Sequence, residues 1–234
     1  MALPEIDLKK ELEELKARGW ILSQREGDTG IGKTIEDLLG IPENNIGEPD
    51  CLYKGEEVEI KSHRTTSKSM ITLFTLEPDE RKINDVAMIE KYGYINGNGR
   101  KALKVTITPD RFNPQGLKLE NDEENGTLSI IDRNGLRPWV WTISAIHLKL
   151  HNLCLIYCDS KKENGHEYFK IKSARLAIGL NNTCFFRLVS KGLVKVDLRM
   201  HIKTTGASRN HGTGFRLSNW NDLIECYEKV IELV

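Results

Sequence analysis

The 234-residue sequence predicts a mixed α/β fold. Three observations carry that expectation. Apolar residues recur at helical spacing near the N-terminus, short strand-like runs follow through the middle, and Leu153 to Cys158 is a continuous apolar run, as a strand covered on both faces requires. The length suffices for one large domain or two closely joined lobes around a real hydrophobic core. At 39% apolar and 29% charged residues, the composition excludes a disordered tail, a collagen-like fibre and a disulfide miniprotein. No stretch approaches the roughly 18 apolar residues of a membrane span. Met1-Ala2-Leu3-Pro4-Glu5 has neither the basic nor the apolar region of a signal peptide. Five scattered cysteines (Cys51, Cys154, Cys158, Cys184, Cys226) suit reduced thiols, so a soluble, cytoplasmic chain is expected.

Pro4 followed by Leu8, Leu12 and Leu15 predicts a short amphipathic helix that Gly19 ends. Trp20-Ile21-Leu22 reads as a short extended piece. After the glycine-rich stretch from Gly27 to Gly32, a second helix carries the stripe Ile31, Ile35, Leu38 and Leu39, and Gly40-Ile41-Pro42 stops it. Glu36 lies at the edge of that stripe, about 100° from its centre, and Asp37 points further out. Residues 50–61 read as a hairpin, 69–76 as a strand, and 78–100 as a polar stretch with a turn at Asn96-Gly97-Asn98-Gly99. Strands are expected near 103–108, 117–120 and 127–131, the last two joined by an acidic turn. Further strands are expected at 168–172, 185–189 and 193–202, with helices at 139–150 and 219–233. Trp139, Trp141, Trp220 and the thiols of Cys154 and Cys158 are assigned to the core. His147 and His151 stand four apart but lack the glutamate of a zinc-protease motif, so no metal is expected there.

The net charge of zero hides an asymmetry. Residues 1–50 hold twelve carboxylates against six bases, a balance of −6, while residues 185–216 hold seven bases against Asp197 alone, a balance of +6. A locally basic surface can bind a polyanion on a neutral protein. The alternative is a solvated basic face.

Two motifs compete. Gly27-Asp28-Thr29-Gly30-Ile31-Gly32-Lys33-Thr34 satisfies the phosphate-loop pattern letter by letter, and Leu153 to Asp159 imitates the apolar strand with a terminal acid. The context fails, because a phosphate loop leaves a buried parallel strand. Here it follows Ser23-Gln24-Arg25-Glu26, too polar for a sheet centre. A nucleotide hydrolase is therefore a remote alternative, and Lys33 is assigned no role. The second motif is Asp50, followed nine positions later by Glu59-Ile60-Lys61. An E-x-K triplet alone occurs about once in a chain of this size. Alternation gives it meaning, since Glu59 and Lys61 leave a strand on one face while Val58 and Ile60 leave on the other. A two-residue turn at Lys54-Gly55 would set Asp50 opposite Glu59, and a three-residue loop would set it diagonally. Either register brings two carboxylates and an ammonium together. The remaining negative field, with Glu36 nearby, suits a hard divalent ion such as Mg²⁺. The other reading is a solvated hairpin whose acids never meet.

Residues Gly27 to Leu39 resemble the N-terminal signature of the MvaI/BcnI restriction endonucleases, a family related to the mismatch-repair nickase MutH. Pro49-Asp50 and Glu59-Ile60-Lys61-Ser62-His63 are similar to its catalytic strands, and Lys68 to Thr75 to the segment after them. Lys195 to Arg199 and His211 to Arg216 resemble its DNA-reading segments. The order holds from residue 19 to 217, with about 78–150 unaligned. The departure is an Asp50-to-Glu59 span longer than the family's.

The resemblance implies an α/β fold with a PD-(D/E)XK nuclease core, a mixed central sheet flanked by helices, beside a DNA-recognition lobe. About 1–77 and 100–190 would form the catalytic lobe, and about 78–99 and 191–234 the DNA-recognition elements. It implies Asp50, Glu59 and the Ile60 carbonyl as ligands of Mg²⁺, Glu36 as an added carboxylate, and Lys61 as the group that orients or deprotonates the attacking water. Hydrolysis would be in line, without a covalent intermediate, and would leave 5′-phosphates. Arg199 and Arg216 are the candidates for guanine, whose O6 and N7 match the guanidinium fork. His211 would lie close to the bases, His201, Lys203 and Arg209 near phosphate, and Arg64 and Lys68 along the DNA backbone. The expected protein is a monomeric type II restriction enzyme that cuts double-stranded DNA at a short CC-N-GG-like site, one strand and then the other. A companion DNA methyltransferase, in no stable complex with it, is expected too. A MutH-like strand nickase is the alternative within the fold. A catalytically dead binding module is disfavoured, because all four active-site residue types are present.

Overall fold

A computed structural model describes residues 2–27, 29–43 and 48–234, so Asp28 of the glycine-rich stretch lies outside the described residues. First in the chain come α1 (Leu8–Ala17), β1 (Ile21–Leu22), α2 (Gly30–Leu38), β2 (Cys51–Tyr53) and β3 (Glu56–Arg64). Next are β4 (Ile71–Thr75), β5 (Glu80–Arg81), α3 (Asp85–Tyr92), β6 (Tyr94–Ile95), β7 (Lys101–Ile107), β8 (Leu117–Asp122) and β9 (Thr127–Asp132). They are followed by β10 (Trp139–Thr142), α4 (Ile143–His147), β11 (Asn152–Glu163), β12 (His166–Leu180) and α5 (Asn182–Ser190). Last are β13 (Val194–Ile202), β14 (Ser208–Asn210), β15 (Gly214–Leu217), α6 (Trp220–Ile224) and β16 (Tyr227–Glu232). The architecture is mixed α/β, as predicted, with sheets predominating.

The chain forms two compact units, one of residues 1–69, 151–181 and 224–234, the other of residues 70–150 and 182–223. Residues 70–77, 100–150 and 182–190 thus fall in the second unit and 224–234 in the first, unlike the boundaries expected from sequence. The reason is pairing between distant strands: β7 joins β13, and β16 joins β12.

The first unit is built on a six-stranded sheet of order β1-β12-β11-β3-β2, with β16 also paired to β12. β3 and β11 run parallel, Glu59 beside Leu153 and Lys61 beside Leu155. β11 is interior to the sheet, and Leu153, Cys154, Leu155 and Ile156 are all buried, so the continuous apolar run is covered on both faces. The Asp7 carboxylate accepts from Lys10 N at 3.2 Å to cap α1, whose Leu8, Leu12 and Leu15 enter the core. Each such leucine contributes roughly 1.5–3 kcal/mol. Ile31 and Ile35 anchor α2 to the same core.

The second unit holds two sheets, β5-β10-β9-β8 and β4-β15-β13-β7-β6 with β14 on β13. Trp139, Trp141 and Trp220 are buried, as assigned. The first two indoles donate to Ile83 O (3.1 Å) and Leu76 O (3.0 Å).

Four expectations of secondary structure, and one of cysteine state, are corrected. Residues 139–150 start as strand β10 and then form only the short α4, because Trp139 and Trp141 are buried with Val140 and Thr142 between and after them, a period of two. Residues 185–189 lie in helix α5, where Cys184, Phe185, Leu188 and Val189 make one buried stripe. Residues 219–233 divide into α6 and the strand β16. The polar stretch 78–100 contains α3, capped where the Asn84 side chain accepts from Ala87 N. Cys51, Cys154 and Cys158 are buried free thiols, but Cys184 and Cys226 are disulfide-bonded and depart from the expected reduced state. No described helix is long and apolar enough to cross a membrane.

Candidate active site

The β2–β3 hairpin turns through Lys54 (φ 55°) and Gly55 (φ 78°), the left-handed pair of a two-residue turn. The ladder runs Tyr53 with Glu56, Leu52 with Glu57, and Cys51 with Val58, so the shorter of the two loops is adopted. It does not continue to a facing Asp50–Glu59 pair. Instead Asp50 N donates to Val58 O at 3.0 Å, and Asp50 Oδ2 accepts from Ile60 N at 2.6 Å. The Asp50 carboxylate therefore docks on the backbone of the strand that carries Glu59 and Lys61. Val58 and Ile60 are buried, whereas the Glu59 and Lys61 side chains keep 22% and 27% exposure and form an ion pair.

Helix α2 brings Glu36 to the same place, and its glycines explain the phosphate-loop look-alike. A Cβ on Gly32 would lie 3.1 Å from Ser62 Oγ of β3, and one on Gly30 would lie 2.1 Å from Arg25 O. Both glycines permit close approach of backbone. The Thr34 hydroxyl is fully buried, donating to Gly30 O (2.8 Å) and accepting from Gln24 N (2.9 Å). β1, ahead of the loop, is a two-residue edge strand antiparallel to β12, not a buried parallel strand. Lys33, assigned no role from sequence, belongs to the site. Its Nζ lies 3.3 Å from Glu36 Oε2 and 3.1 Å from Asp37 Oδ1, on a side chain only 10% exposed. The i,i+3 and i,i+4 spacing on a helix was the available signal.

Burial, and after it the Glu59 charge, push Asp50 up to about 6, against the opposing pull of the Ile60 N–H, Lys61 and Lys33. Burial and then Asp50 raise Glu36, opposed by Lys33 and Lys61. For Lys33 itself, burial disfavours the charge, but Asp37 and Glu36 more than offset it and hold the ammonium above its usual range. Four carboxylates (Glu36, Asp37, Asp50, Glu59) thus share the surroundings of two ammoniums (Lys33, Lys61), leaving two negative charges in excess when all are ionised. Among the described residues, no three His, Cys, Asp or Glu side chains converge into a ready metal cage. The donor chemistry still fits a hard divalent cation. It is all oxygen, and the negative charge that adds to burial in raising Asp50 is charge a cation relieves.

Of the two backbone candidates, Lys68 is exposed just beyond β3. Arg64 is committed to a bidentate pair with Glu167 (2.8 and 2.7 Å) and to Gly27 O at 3.1 Å.

In the second unit, paired residues of neighbouring strands share a face. Lys195 pairs with Arg216, Arg199 with Lys104, and His201 with Arg209. The Arg216 fork is occupied, Nη1 on Asp197 Oδ2 at 2.7 Å and Nη2 on Met70 O at 2.8 Å. Arg199 Nη2 donates to His211 O at 3.3 Å, while the buried Arg199 Nε has no partner among the described residues. His211 is exposed, its ring 6.0 Å from that of His201. Burial, followed by Arg100, Lys104, Arg209 and Lys203, holds His201 below the usual histidine range. Burial, Arg209, His201, Arg199 and Lys104 do the same to His211. Arg199, His201, Lys203, Arg209 and His211 are therefore gathered together. Sequence reasoning missed Arg100 and Lys104, which lie far from the basic segment and join it only through strand register.

The sequence matches the MvaI/BcnI restriction endonuclease family over residues 9–227, and the chain belongs to that family of DNA-cutting enzymes. The structure is similar to that of restriction endonuclease MvaI in complex with its cognate DNA substrate, with a TM-score of 0.82 and 30% identity over 97% of each chain. Against MvaI in the absence of DNA the TM-score is 0.56, at 28% identity over 97% of this chain and 96% of that one. No curated protein matches the chain.

Proposed function

We propose that the chain is a Mg²⁺-dependent type II endonuclease that hydrolyses both strands of DNA at a short CC-N-GG-like site and leaves 5′-phosphates. The observation that carries this reading is the gathering of Glu36, Asp50, Glu59 and Lys61 where α2 meets β3. Support comes from the cognate DNA in the MvaI complex, which the chain resembles over nearly its full length. Asp50, Glu59 and the Ile60 carbonyl would hold the cation, with Glu36 adding a carboxylate, and the chemistry a bound cation would supply is neutralisation of charge that develops on the phosphate oxygens. The Lys61 ammonium orients the attacking water and stabilises the same charge from the protein side. Water attacks phosphorus in line and the 3′ oxygen leaves.

Reading belongs to the basic face of the second unit. Arg199 is the lead candidate for guanine, and His211 for a base contact. Arg216 reaches a base only by giving up Asp197. His201, Lys203 and Arg209, with Arg100 and Lys104, meet phosphate, as does Lys68 in the first unit. The enzyme acts as a cytoplasmic monomer, alongside a companion methyltransferase that protects the host's own sites.

Incubation of supercoiled plasmid with Mg²⁺, followed by sequencing of the ends, tests the whole reading. Linear product with 5′-phosphates at one short sequence is expected. Open circles that never become linear favour the MutH-like nickase, and intact plasmid defeats both.

A further inference from the structure

We infer that Glu77 is a positioning residue that holds the His211 loop in its DNA-reading conformation and thereby sets sequence discrimination, not hydrolysis. The inference rests on the basic face of the second unit being the DNA-reading surface. Glu77 follows β4, in a segment with no assigned role. Its Oε1 accepts from Thr213 N at 2.9 Å and from Thr213 Oγ1 at 3.5 Å. Its Oε2 accepts from Asn210 Nδ2 at 3.1 Å and pairs with Arg81. The loop is tied down on its other sides as well. Asn210 Oδ1 accepts from Gly212 N at 2.9 Å, and Asn210 Nδ2 also reaches Asp85 Oδ2 at 3.2 Å. Thr213 O accepts from Leu76 N at 3.0 Å, and His211 N donates to Arg199 O at 3.2 Å. The backbone N–H groups of His211, Gly212 and Thr213 thus each have a named acceptor: Arg199 O, Asn210 Oδ1 and Glu77 Oε1.

This contrasts with the imidazole they present. His211 is exposed, its imidazole has no hydrogen-bond partner among the described residues, and its ring lies 6.0 Å from that of His201. A loop with a fixed backbone and an uncommitted side chain is built to present that side chain to something outside the protein. The carboxylate also demands an explanation, because an anion close to a surface that receives phosphates is repelled by them. Glu77 is tolerated because its charge is engaged by Arg81, Asn210 and Thr213. Charge-assisted bonds of this kind are roughly twice as strong as neutral ones, so no neutral residue would hold the turn as firmly.

The test compares Glu77→Ala, Glu77→Gln, His211→Ala and the Glu77→Ala/His211→Ala double variant. A plasmid of known sequence is digested with Mg²⁺ and every end is sequenced, giving the preference for the chief site over sites that differ by one base. Amide hydrogen exchange across residues 211–213 is measured alongside. Glu77→Ala is expected to lower the preference about tenfold or more, the scale of one base-pair mismatch. Exchange of the loop amides should accelerate, and cutting should spread to near-matching sequences with an unaltered Mg²⁺ requirement. Glu77→Gln should lower the preference less than Glu77→Ala, since its amide oxygen still accepts from Thr213 N while its amide nitrogen cannot accept from Arg81 or Asn210. The double variant should discriminate no worse than His211→Ala alone. If His211→Ala broadens cutting and Glu77→Ala does not, the role of Glu77 is overturned while the reading surface stands. If His211→Ala changes nothing, the reading surface fails and this inference with it. Equal loss of cutting at all sequences in both Glu77 variants also overturns it, by making the residue a prop for the whole unit.

Discussion

Lys61 and Lys33 answer different parts of one electrostatic problem. Lys61 reaches Glu59 along the strand, and Lys33 reaches Glu36 from the helix. Lys61→Ala removes the ammonium nearest the proposed reacting phosphate, so cleavage should fall by roughly 10²–10³-fold, as for loss of a donor aimed at developing charge. Binding measured without divalent cation should persist; cleavage at the normal rate would show that the centre is misplaced. Lys33→Ala frees Glu36 and deepens the negative field, and the expected result is a lower Mg²⁺ concentration for half-maximal cleavage, together with a larger Mg²⁺-induced rise in Tm. Lys33→Arg should recover both, and a titration identical to the parent protein's would reduce Lys33 to an ordinary helix ion pair. The Asp50, Glu59 and Lys61 set was legible because strand alternation and one hairpin turn sufficed to group it. Lys33 was hidden by a string that imitates a phosphate loop. That the Arg216 fork is occupied was not legible, because its partner Asp197 lies on a neighbouring strand and register is not written in either segment alone.

At the scale of elements, close packing of α2 is what delivers Glu36. Gly30→Ala would force a methyl group into Arg25 O, and a cost of about 1–3 kcal/mol is expected, as for other overpacked sites. Urea unfolding of the variant against the parent measures it, and an unchanged midpoint would refute the close approach. The strands β13 and β14 with the His211 loop carry a pH dependence whose sign follows from the shifts. His201 and His211 are both held below the usual histidine range, so the fold binds fewer protons than the unfolded chain. Their contribution to stability is lost as pH falls through that range. DNA binding responds in the opposite sense, because phosphates favour the charged rings. Between about pH 7.5 and 5.5 affinity should rise, and the slope of log K against log salt should steepen by up to about two. A His201→Ala/His211→Ala variant that keeps the full pH response would assign it to other groups. Elements with a clean period or a decisive turn were readable: α1, the β2–β3 hairpin and the interior of β11. The Phe185-Phe186-Arg187-Leu188-Val189 run looked like a strand by residue type, yet its burial follows a helical stripe. Conversely, the 219–233 segment has apolar spacing that suits a helix, but the open edge of β12 recruits its second half as β16.

For the whole molecule, the fold class and family were legible because signature residues persist in order along most of the chain, and the match over residues 9–227 agrees. The boundaries of the two units were not, because each is assembled from separated pieces of sequence. Strand β3, which carries Glu59 and Lys61, has its parallel neighbour in β11, and β11 in turn pairs with β12, on the far side of residues 70–150. During translation the β2–β3 hairpin that carries Asp50, Glu59 and Lys61 is complete while β11 is still unmade. Under the proposed function, a fragment released before residues 151–181 would carry those side chains on a strand with no parallel neighbour, and cutting is expected only once β11 has joined β3.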